Sequence, residues 1–206
     1  MNRLNKSLHG ILFFLIINTG VFMNTYANDN LLVMQLKSGN VIIEMKPDLA
    51  PNHVKRIKEL VSEKFYDGLK FHRVIDGFMA QTGDPLGNGT GGSGQNLKAE
   101  FSSESHVRGT LSMARASDPN SADSQFFICF DYAPWLDGQY TVWGQVIDGM
   151  EHVDNIKKGM GNNGNVIGEA DIIISMKMKK DYSKQAVDKK LVDEGDRQLE
   201  KKLTDT

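Results

Sequence analysis

Short β-forming runs, bounded by Gly, Pro, Asn and Asp, recur along most of the chain, and only two stretches carry helical spacing. That pattern restricts the fold to an antiparallel barrel or sandwich. The runs lie at residues 31–36, 40–45, 109–114, 125–130, 141–147 and 172–178. Lys37-Ser38-Gly39-Asn40 joins the first two as a hairpin. Ala50-Pro51 opens the first helix, in which Val54, Ile57, Leu60 and Val61 recur at helical spacing before Phe65-Tyr66-Asp67-Gly68 ends it. The spacing predicts a cap lying on the sheet by its apolar stripe. A second short helix is expected at residues 150–158.

Two further runs meet at Asp76-Gly77 inside Phe71-His72-Arg73-Val74-Ile75-Asp76-Gly77-Phe78-Met79-Ala80-Gln81-Thr82-Gly83. They place the permanent charge of Arg73 among apolar and aromatic neighbours. One account is a surface arginine whose stem lies on apolar groups with its head in water. The other is a working group in a pocket.

The two ends differ from the middle. Residues 1–27 have the layout of a secretory signal, with Arg3 and Lys6 ahead of an apolar run at residues 11–17 and Thr25-Tyr26-Ala27 at the cleavage site. The alternative is a retained membrane anchor, against which Asn18-Thr19-Gly20 interrupts the run short of the about 20 apolar residues that a span needs. The expectation is export to the periplasm, with cleavage after Ala27 and no stable membrane association afterwards. Residues 28–180 form one domain, and residues 181–206 are a charged tail. The signal holds two cations and no anions, so its removal takes the formal net charge from −2 to −4. A mildly acidic chain with scattered lysines does not suit nucleic acid. Cys129 is the only cysteine, so no internal disulfide forms. Its apolar neighbours make it a buried small hydrophobe.

Several chemistries are excluded in turn. Residues 89–94 contain a formal G-x-G-x-x-G, but no amphipathic helix follows to receive a pyrophosphate. A long mobile loop beside a binding groove fits better. Asp118, Asn120 and Asp123 lack the Gly and Glu of a calcium loop. Of the five histidines, His53, His72, His106 and His152 show no zinc spacing. No G-x-S-x-G elbow is present, and Cys129 is not placed as a nucleophile. The remaining inventory is Arg73 and Gln81 with Phe78, Met79, Phe127, Trp135 and Leu136, which suits a concave site for an apolar group.

The stretch 71–81, together with residues 87–92, Gly109-Thr110-Leu111-Ser112-Met113-Ala114, Ser124-Gln125-Phe126-Phe127-Ile128 and Trp135-Leu136-Asp137-Gly138, resembles the successive signatures of the cyclophilin peptidyl-prolyl isomerases. The resemblance runs from near Val33 to Lys158. It implies a mainly β fold, an eight-stranded antiparallel closed barrel capped by two α-helices. It also implies isomerisation of X-Pro bonds in unfolded or partly folded chains, by a monomer without cofactor or metal.

Carried over residue by residue, the resemblance makes Arg73 the catalytic side chain. Phe78, Met79, Phe127 and Leu136 line the proline pocket, Gln81 and Gln125 orient Arg73 or the peptide, and Trp135 forms the rim. Arg115 stands where Asn is common, and its backbone contact to substrate should survive. Tyr140 stands where His is common and supplies an aromatic wall. Binding of cyclosporin is a family property that these two departures leave open. The implied roles also set a geometric condition. A two-residue turn at Asp76-Gly77 would put Arg73 on the face opposite Met79 and Gln81, so the connection should be odd in length or bulged.

Overall fold

The computed structural model describes residues 29–180. The expected signal and the charged tail lie outside the described residues. Eight strands form one antiparallel sheet: β1 (Leu31–Leu36), β2 (Gly39–Met45), β3 (Arg73–Ile75), β4 (Met79–Thr82), β5 (Thr110–Met113), β6 (Phe126–Cys129), β7 (Val142–Asp148) and β8 (Ser175–Met178). Their lateral order is β3-β4-β6-β5-β7-β2-β1-β8. Two helices accompany them, α1 (Pro51–Ser62) and α2 (Met150–Asp154).

Strictly closed overstates the barrel, because β3 and β8, the two ends of the sheet, share no ladder. Irregular backbone bonds span the seam instead. Gly68 N donates to Ile173 O, Phe71 N to Asp171 O, Val166 N to His72 O and Val74 N to Gly164 O. The seam also explains two shorter elements. The expected helix at 150–158 stops at Asp154 because Lys157 N turns to the Asp171 carboxylate and Gly159 N to Val74 O. The expected strand at 172–178 joins the ladder only from Ser175, since Ile173 N bonds Leu69 O across the seam.

Alternation along the strands sends one face inward. Leu32, Met34, Val41, Ile43, Val74, Ala80, Leu111, Phe126, Ile128 and Trp143 fill the main core. Helix α1 adds Val54, Ile57, Leu60 and Val61, the stripe expected from its spacing. Its N-cap residue, Ala50, supplies no side-chain bond. The Glu100 carboxylate does so from another loop, accepting from Asn52 N and His53 N, each at 3.1 Å. It satisfies two of the N–H groups that a helix start leaves open.

Candidate active site

The connection between β3 and β4 is three residues long. Register pairs Arg73 with Gln81, Val74 with Ala80 and Ile75 with Met79, leaving Asp76-Gly77-Phe78 in the turn. Phe78 N donates to Ile75 O, and Gly77 sits at φ 69° in the third turn position, where a side chain would be strained. The odd length brings Arg73, Met79 and Gln81 to one face, as the geometric condition requires. The row continues sideways: Gln81 is opposite Phe127 on β6, and Phe127 opposite Ser112 on β5. Strand β6 is therefore buried on both sides, with Phe126 and Ile128 in the main core and Phe127 and Cys129 in a second, outer cluster with Met79, Ala133 and Leu136.

Arg73 is half-buried and held from two sides. Its Nε donates to Asn163 O at 3.0 Å, its Nη1 to Gln81 Oε1 at 3.1 Å, and the same nitrogen lies 4.0 Å from Met79 Sδ. Among the described residues Nη2 has no partner. Burial pulls the guanidinium's pKa below its ordinary value, and Tyr140 works against that shift. The group stays a cation throughout the neutral range.

Beside Arg73 lies a cavity of about 310 Å³, lined by Arg73, Phe78, Met79, Gln81, Ala114, Arg115, Phe127, Trp135, Leu136 and Tyr140. The walls pack on one another. Tyr140 meets the Phe127 ring edge-on at 5.9 Å between centroids, and the Arg115 guanidinium carbon sits 4.6 Å above the Tyr140 ring. Arg115 is fixed there by donating to Gln139 O and Ala116 O. Trp135, 60% exposed, leans on Phe78 at the mouth. Behind Phe127 stacks His106, whose Nδ1 lies 2.8 Å from Asp137 Oδ1 and whose Nε2 lies 3.0 Å from Ser112 Oγ.

Gln125 is placed differently from the other candidates. It does not touch Arg73 and lines a neighbouring cavity of about 290 Å³ instead. Its Oε1 accepts from Gln81 Nε2 at 2.9 Å, and its Nε2 donates to Gly89 O and Gly91 O. The glycine loop, expected to be mobile, is tied down. The carboxylates of Asp84 and Asp123 accept its N–H groups from Leu86, Asn88, Gly89, Ser93, Gly94 and Gln95. Within the formal G-x-G-x-x-G at residues 89–94, the Gly89, Ser93 and Gly94 N–H groups are already taken by carboxylates and that of Thr90 by Asn88 Oδ1.

Residues 31–178 match the family model described as cyclophilin type peptidyl-prolyl cis-trans isomerase/CLD. The chain is a cyclophilin-type peptidyl-prolyl cis-trans isomerase. This cyclophilin is 49% identical over 182 residues to a Brucella suis protein named "Probable peptidyl-prolyl cis-trans isomerase", covering 82% of this chain and 93% of that one. It is 45% identical over 127 residues to peptidyl-prolyl cis-trans isomerase B of Bacillus subtilis, covering 60% of this chain and 88% of the relative. Among solved structures it resembles a Cryptosporidium parvum cyclophilin-type isomerase determined in the presence of the dipeptide Ala-Pro. That likeness has a TM-score of 0.66 and 31% identity, and covers 72% of this chain and 98% of that one.

Some groups around the cyclophilin's pocket left no mark in the sequence. Asn163 contributes only a backbone carbonyl, which any residue could supply. The His106, Asp137 and Ser112 set stands behind the pocket wall: Ser112 and Asp137 lie inside two of the quoted motifs, but nothing in the sequence joins them to His106. Asp123 reads as part of a turn, and only the seven bonds that it and Asp84 accept from the loop reveal an anchor. Among the described residues there is no cluster of side chains able to hold a metal. None of their helices is long and apolar enough to cross a membrane.

Proposed function

We propose that this isomerase binds an X-Pro segment with the proline ring against Met79, Phe127 and Leu136, and that Arg73 donates to the prolyl nitrogen as the bond twists. The observation that carries the reading is the state of Arg73. Nε and Nη1 are occupied by Asn163 O and Gln81, while among the described residues Nη2 is unpartnered, and Arg73 lines a cavity with Phe78, Met79, Phe127, Trp135 and Leu136.

Rotation of a peptide bond is slow because the nitrogen lone pair is delocalised into the carbonyl, with a barrier of roughly 18–20 kcal/mol. In the twisted state the lone pair is localised and accepts a hydrogen bond. A donor aimed there stabilises the transition state over both planar ground states, with no proton transferred. Bringing a process of tens of seconds to about milliseconds takes roughly four powers of ten, or about 5–6 kcal/mol. One or two aimed charge-assisted bonds in a desolvated pocket are of that order. Proline-containing polypeptides fit the open, apolar mouth formed by Phe78 and Trp135, and the Ala-Pro dipeptide used with the Cryptosporidium relative supports that class. Tyr140 and Arg115 would form the far wall, with Gln81 holding the guanidinium.

The sequence supports a setting for this activity. A signal at residues 1–27, cleaved after Ala27, would deliver a monomer to the periplasm to assist folding of other exported chains. The mass of the exported protein tests cleavage, and light scattering tests the monomer.

The deciding experiment compares the wild type with Arg73→Ala in a protease-free isomerisation assay on an X-Pro peptide and in a proline-limited refolding reaction. Loss of acceleration by about a hundredfold or more is expected on removing the donor. Equal acceleration by the two proteins would sink the Arg73 reading.

A further inference from the structure

The two glutamines between Arg73 and the glycine loop raise a question of direction. A glutamine amide has an accepting end and a donating end related by a half-turn, and nothing within the side chain selects one. Here the selection runs in series. Gln125 Nε2 donates to Gly89 O at 3.1 Å and to Gly91 O at 2.8 Å, which turns its Oε1 toward Gln81 Nε2. Gln81 must then present Oε1 to Arg73 Nη1, at 3.1 Å. Reversing Gln125 would set its NH2 against that of Gln81 and its oxygen against the glycine carbonyls, and reversing Gln81 would set oxygen against oxygen at Gln125 and leave Arg73 facing a donor.

The choice is thus made by two carbonyls in the loop, and those are only as fixed as the loop. Asp84 holds its first half, with Oδ1 accepting from Leu86 N at 2.8 Å and Oδ2 from Asn88 N at 2.9 Å and from Gly89 N. Asp123 holds its second half, accepting from Ser93 N at 2.9 Å, the Ser93 hydroxyl, Gly94 N at 2.9 Å and Gln95 N at 3.2 Å. Asp84 is only 1% exposed, so backbone N–H groups rather than water stabilise its charge. The approach is so close that a Cβ on Gly91 would collide with the Asp84 carboxylate, and one on Gly92 with that of Asp123. The glycine-rich sequence therefore serves the backbone's contact with two buried or half-buried anions.

We propose that Asp84 and Asp123 are positioning residues: through the glycine loop and the Gln125 and Gln81 amides, they set the acceptor that aims Arg73. The inference rests on the Arg73 reading above. Replacing either aspartate with asparagine preserves shape but converts one oxygen into an NH2 group facing N–H donors, which releases that half of the loop.

The test uses the full mature chain carrying Asp84→Asn, Asp123→Asn, Arg73→Ala or, as a control distant from the site, Asp154→Asn, which removes a surface pair with Arg108. Steady-state constants on an X-Pro peptide are measured with the Gln81 side-chain amide signal in a nitrogen–proton correlation spectrum. Each loop variant should lower kcat about tenfold with KM within about twofold, and should shift the Gln81 amide signal. Asp154→Asn should change neither. Asp123→Asn carries the test if Asp84→Asn does not fold. A folded loop variant with wild-type kcat and an unmoved Gln81 signal, alongside an inactive Arg73→Ala, overturns the positioning role while leaving the Arg73 reading intact. An active Arg73→Ala overturns both.

Discussion

Arg73 and Gln81 are register partners on adjacent strands, and the 3.1 Å bond from Nη1 to Oε1 fixes the guanidinium before any substrate arrives. Arginine fits this position because its planar fork holds Asn163 O and Gln81 at once and, among the described residues, leaves Nη2 without a partner. Lysine carries the same charge as a single point. Arg73→Lys is therefore expected to lose roughly tenfold to hundredfold in kcat/KM, while its unfolding free energy, read by urea titration, stays within about 0.5 kcal/mol of the wild type. Full activity in Arg73→Lys would show that charge alone suffices.

A mechanism with no proton transfer should ignore pH wherever the protein is folded. Burial lowers the Arg73 pKa, but a guanidinium so shifted is still protonated at neutrality. We expect kcat/KM to be flat between about pH 6 and pH 8. A bell-shaped profile in that window would implicate a histidine or carboxylate instead.

Glu100 caps helix α1 from outside it, so its protonation state bears on stability. Burial alone would raise the Glu100 pKa, but bonds from the His53 side chain, His53 N and Asn52 outweigh that and hold it below the ordinary range. The contribution is complete at pH 7, where folded and unfolded chains are both ionised. It is lost as pH falls below the ordinary glutamate value, because the unfolded chain takes up its proton first. Glu100→Ala should cost about 1–2 kcal/mol at pH 7. The gap between variant and wild type, read from denaturant midpoints, should narrow toward pH 3. A constant gap would mean that packing, not the cap, carries the effect.

Cys129 lies in the outer cluster beneath the pocket, fully buried, with burial pushing its thiol up to about 12. A thiol reagent should leave the native protein unmodified and label one cysteine on unfolding. Rapid labelling under native conditions would show that β6 opens locally.

The strand runs and the face of α1 were legible because each follows a periodicity, and the turn after β3 was expected to be odd or bulged from the roles that the resemblance implies. Arg73, Met79 and Gln81 can share a face only if the turn is odd or bulged, and its three residues meet the first condition. What escaped reading depends on backbone atoms. The Asn163 carbonyl that holds Arg73 is 90 positions away and bears no residue signature. Asp84 and Asp123 collect N–H groups, and such acceptors leave no spacing in a sequence. Helix α2 ends early because the chain after it is drawn to the seam, a long-range pull that overrides local helical spacing.

That seam has a temporal side. The bonds joining residues 68–74 to 159–174 are among those most distant in the chain, and one anchor of Arg73 comes from the far side of them. Contacts across such large loops carry the larger closure entropy, and we expect them to form after the local hairpins. A nascent or half-folded copy, lacking the Asn163 carbonyl in place, would hold its guanidinium loosely and turn over substrate poorly. On the Arg73 reading, the onset of isomerase activity during refolding would mark the moment the two ends of the sheet meet.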